Sequence, residues 1–321
     1  MFRSLFIKSL KRQRSFTTTS PLSKSILSHE IIQKTPTDNT SQYKSSIFFL
    51  HGMLGSRQNL RTFARKVANT YPGTKCVLLD LRAHGDSPSF NEDLQSHTVD
   101  DCAQDILTWI NEMNIQPNVL WGHSFGGKVV LSMLNSIENT DNLPTSAWVI
   151  DSQPGLVDLK GFENNTNVHS VESIINIVSK LNTPFKNKDD VMQQLDAYGI
   201  DRGIQTWMTT NVKRVNDTTE YDWKFDIDVI KKLFVDYCNK DMWKYMGKEA
   251  RKDVDLHLVR GTKNPFWQKE TTINQLDLAL KDNQRFAVHD VDAGHWLHAE
   301  KPKELFDVMV DGGLEKSLHL D

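Results

Sequence analysis

Val119-Leu120-Trp121-Gly122-His123-Ser124-Phe125-Gly126-Gly127-Lys128 is the stretch that decides how this chain is read. Val119–Trp121 is a short apolar run of the kind that forms a buried strand. Gly122–Gly127 turns sharply, and a helix starting near Lys128 continues through Val129–Ile137. A serine inside Gly-x-Ser-x-Gly, between a strand and a helix, sits at the carboxyl edge of a sheet with its hydroxyl exposed. The turn is strained, so small residues are needed on both sides. Gly122 and Gly126 let strand and helix approach, and Gly127 adds room for packing. The helix N-terminus behind Ser124 favours developing negative charge. Ser124 is therefore the candidate nucleophile. The plainer alternative, a structural serine in a tight turn, fits this context less well.

Outward from this turn, short apolar runs recur at Ile47–Leu50, Cys76–Leu79, Ala147–Ile150, Leu256–Val259 and Phe286–Val288. Each suits a strand buried on both faces. Leu27–Ile32 reads as a short alternating strand. Helical patterns at Leu60–Ala68 and Val99–Met113, the latter with Thr98 as its N-cap, fall between the first runs. This alternation predicts an α/β fold with a mostly parallel, doubly wound sheet. From Gly155 to about Val254 the rhythm becomes helical, at Val171–Leu181, Val191–Ala197 and Val229–Tyr237. A helical cap at about 155–254, inserted before the last strands, is expected. Its Trp207, Trp223 and Trp243 and its Met192, Met208, Met242 and Met246 should mostly pack, with some lining a pocket. Glu163–Val168 is expected to be a surface loop.

A nucleophilic serine needs N–H donors for the oxyanion of a tetrahedral intermediate. The candidates are the backbone N–H of Phe125 and that of Met53, in His51-Gly52-Met53-Leu54-Gly55-Ser56 after the run Ile47–Leu50. One such donor is typically worth roughly a hundredfold in rate. The Met53 and Phe125 side chains are expected to shape an acyl pocket, and the His51 imidazole to fix the loop. Asp80-Leu81-Arg82-Ala83-His84-Gly85-Asp86-Ser87-Pro88 is expected to be a hydrogen-bonded turn beside the site rather than a source of chemistry.

The chain order serine, acid, histidine puts the base near the C-terminus. Ala293-Gly294-His295-Trp296-Leu297-His298 offers two histidines after the run Phe286–Val288, with His295 after a glycine and His298 as its rival. His289 lies too close to the strand. The acid often follows the strand after such a cap, but Arg260–Pro265 holds no carboxylate, and Asn264 cannot carry the charge that stabilises an imidazolium. Asp151 ends the run Ala147–Ile150 on the same edge as Ser124. It is assigned as the acid, against the alternative of a turn-forming Asp. Asp290 and Asp292 are too close to His295 along one loop to reach its Nδ1.

The 321 residues suffice for one large α/β domain with a cap, or for two smaller domains. A net charge of −3 with no basic patch beyond the N-terminus argues against nucleic acid as the main partner. No stretch approaches the ~18–20 apolar residues of a membrane-spanning helix. Three widely spaced cysteines give no disulfide framework and no metal-ligand spacing. Cys76, inside an apolar run, is read as a buried thiol suited to a reducing compartment. Arg3, Lys8, Lys11, Arg12 and Arg14 precede the first acidic residue, Glu30, in a Ser- and Thr-rich start. That pattern predicts a mitochondrial transit peptide over residues 1–25, with processing after Phe16 and hence a mitochondrial location. Removal of Met1–Phe16 would take the charge from −3 to −8. The alternative is a basic tail without that role.

His51–Ser56, Asp80 with His84–Pro88, Gly122–Lys128 and Ala293-Gly294-His295-Trp296-Leu297-His298-Ala299-Glu300-Lys301-Pro302 together resemble the small-esterase branch of the α/β-hydrolase superfamily. The resemblance runs from about Leu27 to the C-terminus and is weakest in the cap. It implies an α/β-hydrolase domain over residues 26–321, places the base at His295 and supports Asp151 as the acid. With the transit-like N-terminus, the chain resembles the yeast mitochondrial ethanol acetyltransferases. That likeness implies acetyl transfer from acetyl-CoA to ethanol, giving ethyl acetate, with thioesterase and esterase side activities. The expected partners are small-molecule substrates, namely acetyl-CoA, ethanol and short acyl esters, and no cofactor or metal is expected. Two alternatives stand beside it: a carboxylesterase or thioesterase with water as acceptor, and a non-catalytic ligand-binding module of the same fold.

Overall fold

In Ser45–Leu50, Ile47 and Phe49 face one apolar core, Phe48 and Leu50 face another, and all four are fully buried. A strand that is apolar on both faces must lie inside a sheet covered on both sides. The computed structural model describes residues 27–34, 45–89, 97–157 and 170–320. Its main sheet contains β1 (His29–Ile32), β2 (Ser45–Leu50), β3 (Thr74–Leu79), β4 (Val119–His123), β5 (Ser146–Ile150), β8 (Asp255–Gly261) and β9 (Phe286–Val291), in the order β1-β3-β2-β4-β5-β8-β9. β1 pairs antiparallel with β3 at the edge, and every other pair in this sheet is parallel. The two expected segments at residues 1–25 and Glu163–Val168 lie outside the described residues.

α1 (Arg61–Thr70) links β2 to β3, α2 (Val99–Met113) links β3 to β4, and α3 (Phe125–Ser136) links β4 to β5. Thr98 caps α2 through the reciprocal bonds of a capping box with Asp101, satisfying amides the first turn leaves unpaired. The β5–β8 segment holds α4 (Val171–Val178), α5 (Lys188–Asp196), α6 (Arg202–Met208), α7 (Ile227–Asn239) and α8 (Trp243–Met246). α9 (Glu270–Asp282) joins β8 to β9, and α10 (Leu297–Glu300), α11 (Pro302–Asp311) and α12 (Leu314–Ser317) end the chain. Phe63 and Val67 of α1 and Leu305 and Met309 of α11 fill one core. Ile106 of α2, Val129 of α3 and Leu276 of α9 belong to the other. Helices thus cover both faces, as a doubly wound sheet requires. Burial of each such side chain is worth about 1.5–3 kcal/mol.

Two local features differ from the sequence expectation. α3 begins at Phe125, three residues before Lys128, so the turn runs directly into the helix. β6 (Val212–Arg214) and β7 (Tyr221–Trp223) form a separate antiparallel hairpin inside the β5–β8 segment. Strands of three residues carrying Lys213, Arg214 and Asp222 are too short and too charged to show a period-2 pattern. Trp223, Trp243, Met208, Met242 and Met246 are buried, most of them completely, and extend the core that α2 and α3 share.

β2 hydrogen-bonds to β3 on one side and to β4 on the other. The chain leaves β2 toward β3 and leaves β4 toward β5, in opposite directions. The carboxyl ends of β2 and β4 therefore open a crevice, the place where doubly wound sheets bind ligands. His51–Ser56 and Ser124 lie at that point.

Candidate active site

Ser124 is held at φ 53° and ψ −116°, a conformation that residues other than glycine seldom adopt. Its amide donates to Ile150 O at 2.9 Å, and its carbonyl accepts from Gly127 N at 2.9 Å. A Cβ at Gly122 would stand 2.2 Å from Gly126 O, and one at Gly126 would stand 2.5 Å from Leu50 O. Backbone on backbone leaves nothing flexible to yield, so both positions require glycine. Phe125 is the first residue of α3, and its N–H is among the four that a helix leaves without an internal partner. The Ser124 hydroxyl makes no hydrogen bond among the described residues. It shares two cavities with His295 and Met53.

Asp151 follows β5 and is completely buried, at φ 43°. Its amide donates to Val259 O at 2.8 Å. Oδ2 accepts from His295 Nδ1 at 2.7 Å and from Asn264 Nδ2 at 2.7 Å. Oδ1 accepts from Trp267 Nε1 at 2.6 Å and from Gly261 N at 2.9 Å. An Nδ1–H that points at a carboxylate leaves Nε2 of His295 as the free base. The His295 loop is fixed from two sides. His123 Nε2 donates to His295 O at 2.8 Å, while Glu300 accepts from Gly294 N at 2.7 Å and from Trp296 N at 3.1 Å. His298, the sequence rival, packs edge-on against Trp121 and His123, and burial brings its pKa down to about 4. Asp290 pairs with Arg260 at 2.8 Å and Asp292 with Lys263 at 3.2 Å, and neither bonds His295.

The loop carrying Met53 rests on two buried imidazoles. His51 donates from Nδ1 to Gly52 O at 2.8 Å and accepts at Nε2 from Leu81 N at 3.0 Å. His84 donates from Nδ1 to Arg82 O at 2.9 Å and accepts at Nε2 from Leu54 N at 3.1 Å. Both roles need a neutral ring, and burial lowers the two pKa values to about 4 and about 3. Asp80 accepts from Asp86 N and Arg57 N and pairs with the Arg57 guanidinium, and Arg57 also pairs with Asp86. A Cβ at Gly85, at φ +59°, would lie 2.1 Å from the Asp80 carboxylate. Arg82 pairs with Asp105 of α2 at 2.6 Å, docking the turn on that helix. The turn expected from Asp80–Pro88 is therefore a support for the Met53 loop.

Lys128, one helical turn beyond Ser124, is completely buried. Its Nζ donates to Gly155 O at 2.9 Å, Tyr237 O at 2.6 Å and Lys240 O at 2.7 Å, and lies 4.2 Å from the centre of the Tyr237 ring. Burial draws its pKa down to about 8.

Two cavities meet at Ser124. A narrow one of about 30 Å³ is lined by Met53, Leu54, Ile174, Trp207 and Trp296. A wider one of about 420 Å³ is lined by Phe125, Gln153, Phe234, Tyr237 and Asn264. The expected site residues Ser124, Asp151, His295, Met53 and Phe125 are thus assembled at one sheet edge. His123 and Trp267, which support His295 and Asp151, carry no sequence signal for that role. Asn264 is legible as a residue that cannot serve as the acid, but its bond to Asp151 is visible only in three dimensions.

Comparison with known proteins bears on the family and the fold. The chain is 25% identical over 297 residues to a Saccharomyces cerevisiae protein named "Probable alcohol acetyltransferase", covering 89% of this chain and 82% of that one. It is 23% identical over 269 residues to the mouse (Mus musculus) sn-1-specific diacylglycerol lipase ABHD11, covering 82% and 79%. A solved structure titled "Marine microorganism esterase" superimposes with a TM-score of 0.71 at 23% identity, over 89% of this chain and 99% of that one. The family model described as "Alpha/beta hydrolase family" matches residues 47–308, from the strand before the Met53 loop to the helix after His295. With a strained serine turn at the switch point of a doubly wound sheet, the chain belongs to the alpha/beta hydrolase family.

Proposed function

We propose that the protein is a serine-dependent acyltransferase that moves acetyl from acetyl-CoA to ethanol through an acetyl–Ser124 intermediate. The observation that carries the chemistry is the 2.7 Å bond between Asp151 and His295 beside the strained Ser124 turn. In the first half, His295 Nε2 takes the Ser124 proton and Oγ attacks the thioester carbonyl. The Met53 and Phe125 amides hold the oxyanion, and Asp151 stabilises the imidazolium. The C–S bond breaks, and the departing thiol takes its proton from His295. In the second half, ethanol gives its proton to His295, attacks the acetyl carbon and leaves as ethyl acetate, and Ser124 regains its proton.

The narrow cavity supports a short acyl group. One water-sized group needs about 10–15 Å³ of such space, so about 30 Å³ suits two heavy-atom groups. The likeness to the yeast protein supports the alcohol acceptor. A second reading, ester or thioester hydrolysis with water as acceptor, is favoured by the wider cavity and the lipase and esterase relatives. The basic segment of residues 1–25 supports a mitochondrial location for this activity. A fluorescent fusion that stays in the cytosol would end that part of the reading.

One assay separates the readings. Purified protein is given acetyl-CoA and ethanol, and ethyl acetate and free acetate are quantified. Ester above acetate is the expected result. Acetate without ester replaces the transferase with the hydrolase. Neither product, with no hydrolysis of short acyl esters, leaves a ligand-binding module. Ser124→Ala should lower both products by at least about a thousandfold.

A further inference from the structure

A carboxylate offers about four lone-pair sites. At Asp151 all four are in use, and three of the donors come from Gly261, the last residue of β8, and from Asn264 and Trp267 in the short stretch after it. Asn264 cannot rotate away. Its Oδ1 already accepts from Phe266 N at 3.1 Å, which aims the amide N–H at Asp151. The amide meets Oδ2, the same oxygen that takes His295 Nδ1. Each donor to a carboxylate draws down the charge left for its other partners. Asn264 and His295 therefore compete for one oxygen.

We propose that Asn264 and Trp267 are positioning residues that hold the Asp151 carboxylate, draw off part of its charge, and so set the pH at which His295 becomes a base. This rests on the reading of Ser124, His295 and Asp151 as the working triad. The other ionisable groups around His295 do not share this role. His123 from β4 and His298 from α10 pack beside it, and burial keeps both neutral. Glu172 from α4 and Lys263 from the loop after β8 line the wider cavity, and Lys263 is paired with Asp292. Glu300 is tied to the Gly294 and Trp296 amides. Among the described residues, Asp151 alone bonds the imidazole ring.

The sign follows from the charge. With a donor removed, Asp151 stabilises the imidazolium more strongly. Neutral His295 then appears only at higher pH, and the acid limb of the pH–rate profile moves up. The test measures kcat and KM for p-nitrophenyl acetate hydrolysis from pH 5 to 9, on the full chain. Asn264→Ala and Trp267→Phe should each move the acid limb of kcat/KM upward by about half a unit. Asn264→Asp, which adds a second carboxylate, should move it by about one unit. Plateau kcat should fall about tenfold while KM stays within about twofold. Melting temperature is followed in parallel. Folded variants whose limb stays in place, or moves down, overturn the proposal. If Asn264→Ala does not fold, Trp267→Phe decides alone, since it removes one N–H and keeps most of the ring. A wild-type chain that turns over no short acyl ester ends the triad reading and this proposal with it. An active wild type with an unmoved limb in the variants ends this proposal only.

Discussion

The loops on the two sides of Ser124 hold buried polar atoms by opposite means. On the Met53 side, His51 and His84 are neutral, and each bridges two backbone groups with no net charge. On the Asp151 side, an acidic residue is surrounded by four donors, one of which is the histidine that would move protons. A neutral imidazole can satisfy a donor and an acceptor at once, so it braces a loop without answering to charge that appears nearby. A carboxylate only accepts, and its partner's protonation depends on how its charge is shared. The first arrangement suits a fixed oxyanion cradle, the second a proton relay. Variants on the two sides should therefore separate stability from rate.

The largest separation is expected at Asp151→Asn. The asparagine retains the shape but cannot accept from all four donors. The rate of acyl-enzyme formation should fall by about 10³–10⁴-fold, while the stability loss measured by urea unfolding stays within about 3 kcal/mol. A near-normal rate would return the acid to another loop.

Acidification should act on the buried imidazoles, two of which hold the Met53 side. His51 and His84 have folded pKa values lowered to about 4 and about 3 from 6.5. A depressed folded value means that their contribution is present above pH 6.5 and is lost as pH falls toward 4 and 3. For His51 alone the contribution is about 3 kcal/mol. The melting temperature should drop steadily from pH 6.5 to 4.5, and His51→Gln should flatten that drop. An equal drop in the variant would remove His51 from the account.

The smallest of the three effects is expected at His84→Ala, which strips the acceptor from Leu54 N–H. Stability should fall by about 1–3 kcal/mol. The rate should fall only about tenfold, through a looser Met53 amide, as read from kcat at constant folded fraction. A loss of rate as large as that of Asp151→Asn would erase the contrast between the two sides.

Much of this contrast is legible in the sequence, but unevenly. Gly122–Gly127 announces a strand–turn–helix because each step is local: an apolar run, glycines where backbones touch, then a helical period. His51 and His84 are legible as loop supports because polar residues just past strand ends satisfy nearby backbone. Asp151 is found by chain order and by its place at a strand end. Its surroundings are not legible. Trp267 lies 116 positions from Asp151 along the chain, and nothing in Pro265-Phe266-Trp267-Gln268 shows that the indole turns inward. The choice between His295 and His298 is likewise tertiary, since both follow the same strand and only their neighbours differ. The β6–β7 hairpin escapes because its pairing is carried by backbone across a charged, three-residue register.

The ammonium of Lys128 has a further consequence for how this enzyme fold can diversify. It gathers carbonyls from Gly155 at the start of the β5–β8 segment and from Tyr237 and Lys240 near its end, where Val157 N also bonds Cys238 O and Met242 N bonds Pro154 O. The segment is buttoned to the nucleophile helix at both of its roots by one side chain. Exposed residues far from those roots, and from the Asn211–Ser56 and Asp226–Ala83 bonds, can be exchanged without unfastening the segment from Ser124. The fold thus carries a replaceable roof on a fixed mount, where new substrate preferences can be tried while the reacting atoms stay in place.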